Sequence, residues 1–125
     1  MKKLIAAALT LALLFTLLPS AVSAASYPDV PADSWALADI TGARDAGIMS
    51  GNADGTFGYG TSLRRSEFVA MLVRLMGWTK EQPTASSFSD VPADSWYLAD
   101  VETALKHGAI QNTGTFRPEK EITRE

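Results

Sequence analysis

The fold expected for this chain is all-α, built of tandem helix-loop-helix repeats, and three observations predict it. Asp29-Val30-Pro31-Ala32-Asp33-Ser34-Trp35 returns unchanged as Asp90-Val91-Pro92-Ala93-Asp94-Ser95-Trp96. The likeness continues at the same offset of 61 positions through Leu37/Leu98, Ala38/Ala99, Asp39/Asp100, Ala43/Ala104 and Gly47/Gly108, with Ile40/Val101 a volume-conserving swap. Apolar residues after each copy recur at helical spacing and stop at a glycine. Self-similarity at this period marks one supersecondary unit copied side by side, so each unit is half of an interface.

Ahead of the repeats lies a leader. Lys2 and Lys3 precede an apolar run from Leu4 to Leu18, Pro19 and Ser20 break it, and Val22-Ser23-Ala24 offers small residues to a signal peptidase. The run is shorter than the ~20 residues that span a bilayer, so residues 1–24 are expected to be a cleaved signal peptide, with cleavage after Ala25 the second choice. No membrane association is expected afterwards. Loss of Lys2 and Lys3 takes the formal charge from −3 to −5, and an acidic chain without a basic stripe is a poor partner for nucleic acid. With no cysteine, packing alone must hold the fold.

The first repeat is expected over residues 27–77. Pro28 and Pro31 make the lead-in extended. A helix follows, capped by Asp33 or Ser34, with Ala36, Ile40 and Ala43 as its apolar stripe and Gly47 as its stop. Its small residues Ala38, Gly42, Ala43 and Ala46 imply a close neighbour. Residues 51–60 form a turn-rich loop around Asp54-Gly55, with Phe57 as a buried plug. Calcium is refused there, because an EF-hand needs oxygens at alternate positions and a Glu at the twelfth. The second helix is expected over Arg65–Met76, with Phe68, Met71, Leu72, Leu75 and Met76 as its core face and Val69 and Val73 widening it.

Residues 78–87 read as a polar linker, and residues 88–125 as a second, truncated repeat. Its first helix carries Tyr97, Val101 and Ala104 on the stripe, and His107 suits the last turn as a cap. The loop before Phe116 is two residues shorter than its counterpart before Phe57 and lacks the Asp-Gly pair, so its turn geometry must differ. Ile122-Thr123-Arg124-Glu125 opens a second helix at the end of the sequence, which suggests a fragment.

Taken together, Tyr27-Pro28-Asp29-Val30, Trp35, Gly47-Ile48, Asp54-Gly55-Thr56-Phe57 and Leu63-Arg64-Arg65-Ser66-Glu67-Phe68, with Phe88-Ser89-Asp90-Val91, Trp96, Gly114-Thr115-Phe116-Arg117-Pro118 and Ile122-Thr123-Arg124, resemble the S-layer homology domain family. The resemblance implies three repeats in a pseudo-threefold bundle. It also implies that exported proteins are anchored non-covalently to the bacterial wall through secondary cell-wall polysaccharide, which commonly carries ketal-linked pyruvate. A neighbouring repeat is the other implied partner, and no cofactor is implied. The expected ligand-binding residues are Arg65 and Arg124, matched to the signature arginine at a helix N-terminus with free N–H groups, together with Trp35, Trp96 and Glu67. Core anchoring is the competing role for the two tryptophans. Arg64 stands where the family has a capping threonine. A self-assembling segment of a surface layer is the alternative function. An enzyme is not expected: the chain has neither a Ser/His/Asp order nor a metal cluster, and carboxylates such as Asp29 and Asp33 are explained by turns and caps.

Overall fold

The computed structural model describes residues 27–122. Three helices follow one another: α1 (Leu37–Asp45), α2 (Arg65–Leu75) and α3 (Leu98–Lys106). None is long enough to be stable in water by itself, so packing decides which faces are buried. The fold is all-α, as expected, and no described helix is long and apolar enough to cross a membrane.

The core lies between α2 and α3, the only pair of described helices in contact, and therefore joins the two repeats. Val69 and Val73 of α2 meet Leu98, Val101 and Ala104 of α3, with Phe88, Val91, Tyr97 and Phe116 closing the cluster. Val101 and Ala104 are fully buried, and each such valine or phenylalanine contributes roughly 1.5–3 kcal/mol on burial. The expected stripe of Tyr97, Val101 and Ala104 is therefore the one buried.

For α2 the expected face is not the buried one. Ser66, Val69, Ala70 and Val73, spaced i, i+3, i+4, i+7, are buried, whereas Phe68, Leu75 and Met76 are exposed. Small and β-branched residues let α2 approach Val101 and Ala104 closely, which longer side chains on the adjacent stripe would prevent. The small residues of α1 attract no helix either: Ala38, Gly42 and Ala46 are exposed, and Ile40 is the one buried residue of that helix.

Helix starts depart from the expected caps, and helix stops follow them. Neither Asp33 nor Ser34 caps α1; Ser34 Oγ instead accepts the Ala36 N–H at 3.2 Å, one residue before the helix. Each helix ends in the same paired bond: Gly47 N–H to the Arg44 carbonyl with Ile48 N–H to Ala43, Gly77 to Arg74 with Trp78 to Val73, and Gly108 to Leu105 with Ala109 to Ala104. His107 follows α3 and stacks flat on Trp78, centroids 4.2 Å apart.

The polar stretch after α2 is a strap along α3. Lys80 Nζ lies 2.8 Å from Oδ1 of the buried Asp100, Glu81 N–H donates to Thr103 Oγ1 at 2.9 Å, and Ser87 N–H and Oγ donate to Glu102. These contacts give Asp100, Glu102 and Thr103 of α3 their partners from the strap.

Although the second loop is shorter, it does not turn differently beside its phenylalanine: Gly114 and Gly55 share a left-handed step, with φ 90° and 85°, and so do the residues after Phe116 and Phe57. Arg117 takes φ 59° at the place equivalent to Gly58, whose φ is 83°. A side chain in this region costs roughly 1–2 kcal/mol relative to glycine, partly offset by glycine's larger unfolded-state entropy. Arg117→Gly is therefore expected to raise stability by about 0.5–1 kcal/mol, measured as a higher urea midpoint with an unchanged m-value.

Candidate functional site

The first loop owes its shape to one carboxylate. Asp29 Oδ1 accepts the Phe57 N–H at 2.8 Å, and Oδ2 accepts those of Gly58 and Tyr59 at 2.8 and 2.9 Å. Phe57, half-buried, meets Tyr27 at a centroid distance of 5.3 Å. Within the loop, Asp54 Oδ1 accepts both the N–H and the hydroxyl of Thr56. Gly51 has φ 71°, and a Cβ there would fall 2.5 Å from Tyr27 Cε1 and 2.8 Å from the Thr56 carbonyl oxygen. Only glycine fits beneath this turn. Asp90 repeats the clamp on Phe116 and Arg117, each N–H at 2.7 Å.

Between this loop and α2 runs an open groove of about 830 Å³. Residues 49–53, Phe57 and Gly58 form one wall. The α2 face Glu67, Ala70, Met71 and Arg74, at i, i+3, i+4, i+7, is its floor, with Arg64 at the head of the helix. Trp96 comes from the second repeat to complete it, 60% exposed and packed edge-on against Tyr97 at 5.3 Å. The groove thus presents mixed polar and apolar walls, an exposed indole face and two guanidiniums, able to stack on a flat apolar face and to pair an anion. Arg74 already donates to the Ile48 carbonyl at 3.2 Å, which fixes its position on the wall.

Of the five residues expected to bind ligand, Trp96 and Glu67 line this groove. Arg65 does not; its guanidinium lies over the Phe116 ring, 5.2 Å from the centroid, on the side facing the second repeat. The N–H groups expected to be free beside it are taken, Arg65 N–H by the Lys120 carbonyl at 2.8 Å and Ser66 N–H by Pro118 at 3.0 Å. Trp35 is 85% exposed and stands away from the groove, so neither tryptophan is a core anchor. Arg124 lies outside the described residues. Sequence reasoning missed Arg64 and Arg74 as groove residues; the i, i+3, i+4, i+7 run from Glu67 was the available signal. Among the described residues no group of three His, Cys, Asp or Glu side chains is placed to hold a metal.

Glu67 has a second role at the helix start. Arg64 N–H donates to Glu67 Oε2 at 2.9 Å, the return half of a capping box. The forward half is missing, since a guanidinium has no acceptor. The carbonyls of Pro118 and Lys120 replace the lost hydroxyl.

These features define a class, a helical tandem-repeat module with a surface groove completed by the adjoining repeat. The S-layer homology domain model matches residues 26–69 and 87–125, and the chain belongs to that family. It is 33% identical to the S-layer protein of Bacillus thuringiensis subsp. finitimus and 32% identical to the S-layer protein sap of Bacillus anthracis, in each case over 98% of this chain and 15% of the relative. It is also 36% identical, over 74% of its length, to 8% of the endo-1,4-beta-xylanase A of Thermoanaerobacterium saccharolyticum. The chain thus spans about one-seventh of the S-layer relatives it matches. Membership places it among exported cell-surface proteins as a surface-anchoring module.

The aspartate clamps carry a pH signature. The Phe57 N–H, with those of Tyr59 and Gly58, holds Asp29 below the usual carboxylate range. Burial alone would raise Asp90, but the Phe116 and Arg117 N–H groups outweigh it and the net shift is also downward. A depressed carboxylate contributes stability above its unfolded pKa of about 3.9, and that stability is lost as pH falls through the lower folded value. Melting temperature is therefore expected to hold from pH 7 to 5 and to drop below about pH 4. Asp29→Asn with Asp90→Asn is expected to melt lower at pH 7 and to flatten the acid limb, as read by circular dichroism.

Proposed function

We propose that the groove binds an anionic secondary cell-wall polysaccharide, a pyruvylated one in the first instance, and so anchors an exported protein to the wall. The observation that carries this reading is the composition of the groove: Trp96 from one repeat facing the α2 floor of the other, with Arg64 and Arg74 beside it. An indole face lies flat on the C–H face of a sugar ring, and a guanidinium pairs its carboxylate. The names of relatives, S-layer protein and cell surface protein, support attachment at the cell surface. Direct contact with the ligand falls to Trp96, Arg64 and Arg74, with Glu67 positioning Arg64, and Arg65 supports the site from the Phe116 side.

Binding of the full chain to purified Gram-positive sacculi is the test. Trp96→Ala is expected to weaken binding about tenfold, the range of a central aromatic contact, while Trp35→Ala leaves it within about twofold. Equal loss from both substitutions, or binding that persists after the wall polysaccharide is extracted, would instead favour packing between copies, the role to which exposed Phe68, Leu75 and Met76 on α2 are suited.

A further inference from the structure

Arg64 is the residue that the fold does not need. Its backbone is fixed, with its N–H on Glu67 and an antiparallel bridge to Glu121, and the amides of the next two residues are held by Lys120 and Pro118. Its side chain caps nothing. That side chain crosses from the first repeat to the second, where Nη1 meets Glu119 Oε2 at 2.6 Å, both groups more than half exposed. Glu119 sits between Pro118 and Lys120, whose carbonyls hold the start of α2, so its backbone is as fixed as that of Arg64.

We propose that Arg64 selects the ligand, and that Glu119 holds its guanidinium at the head of the groove until an anionic group of the glycan displaces it. The proposal rests on the groove being the glycan site. An exposed ion pair is weak and screened by salt, and here both backbones are locked, so exchanging one carboxylate for another costs no rearrangement of the fold. A guanidinium takes a carboxylate or a phosphate in bidentate fashion. A neutral sugar offers nothing to displace Glu119, whereas an acidic one does. Occupancy is thereby coupled to the charge of the polymer. A threonine at this position, the family's pattern, has no such reach.

Titration of the full chain with wall polysaccharide from Gram-positive sacculi, before and after mild-acid removal of ketal-linked pyruvate, tests this. Arg64→Gln is expected to weaken binding of untreated polymer about tenfold, the worth of a charge-assisted pair. Glu119→Gln, which leaves α2 untouched, is expected to tighten it about threefold by removing the competitor. The double variant should match Arg64→Gln. If the Arg64 effect vanishes with treated polymer, the selected group is pyruvate; if it persists, the group is phosphate, and either result supports selection by Arg64. Parent-like binding by Arg64→Gln, or weaker binding by Glu119→Gln, overturns the proposal while leaving the groove's function standing. A parent chain that binds no wall polymer removes both.

Discussion

Two hydrogen bonds at the start of α2 govern the rest of the molecule. The N–H groups of Arg65 and Ser66 donate to carbonyls of Lys120 and Pro118, and the Ser66 hydroxyl adds a further bond to Pro118 at 3.0 Å. A helix begins with unsatisfied donors, which a side chain, a ligand or another segment must accept. Here the second repeat accepts them. That choice fixes α2 against α3, brings Phe116 beneath Arg65, and sets Glu119 opposite Arg64. It also explains how the first repeat tolerates Arg64 at its N-cap: the hydroxyl forgone, ordinarily worth ~0.5–2 kcal/mol, is replaced from across the interface.

A second constraint shapes the two loops, and it uses the first aspartate of the repeated heptad. Asp29 and Asp90 each reach about 27 residues along the chain to hold the backbone beside a phenylalanine. A carboxylate accepting two or three amide protons organises a loop that has no ladder of its own. The aromatic lead-in then packs on that phenylalanine, Tyr27 on Phe57 and Phe88 on Phe116. Lead-in and loop are thus one unit in each repeat, and the first loop, a wall of the groove, is held by an anchor outside the groove.

Helix content, glycine stops and the duplicated plan were legible in the chain because they depend on neighbours a few residues away. The stop at Gly47 needs only Arg44 and Ala43. The buried face of α2 was not legible. Two apolar stripes lie side by side on that helix, and periodicity ranks them by hydrophobicity, which favours Phe68, Leu75 and Met76. Burial favours the stripe that fits against Val101 and Ala104, and that partner is remote in sequence. The site divided in the same way. Trp96 and Glu67, expected from motif and capping pattern, line the groove, whereas Arg65 was expected beside free amides that Lys120 and Pro118 occupy. The strap was hidden because its acceptors, Asp100, Glu102 and Thr103, lie on a helix that had not yet begun.

The identical heptads locate the groove most directly. Val30 and Val91 are equally buried, at 6% and 5% exposure, so the local turn is the same in both copies. Their surroundings then diverge. Asp39 is exposed while its counterpart Asp100 is buried against Lys80, and Trp35 stands clear while Trp96 borders the groove. Matching residues produce two environments because the second copy packs beside α2 and the strap. The groove therefore belongs to the junction between repeats, and a tryptophan borders it only where a preceding repeat supplies the floor. On the proposed reading, each such junction makes one site, with its selectivity set by the residue at the head of the preceding helix.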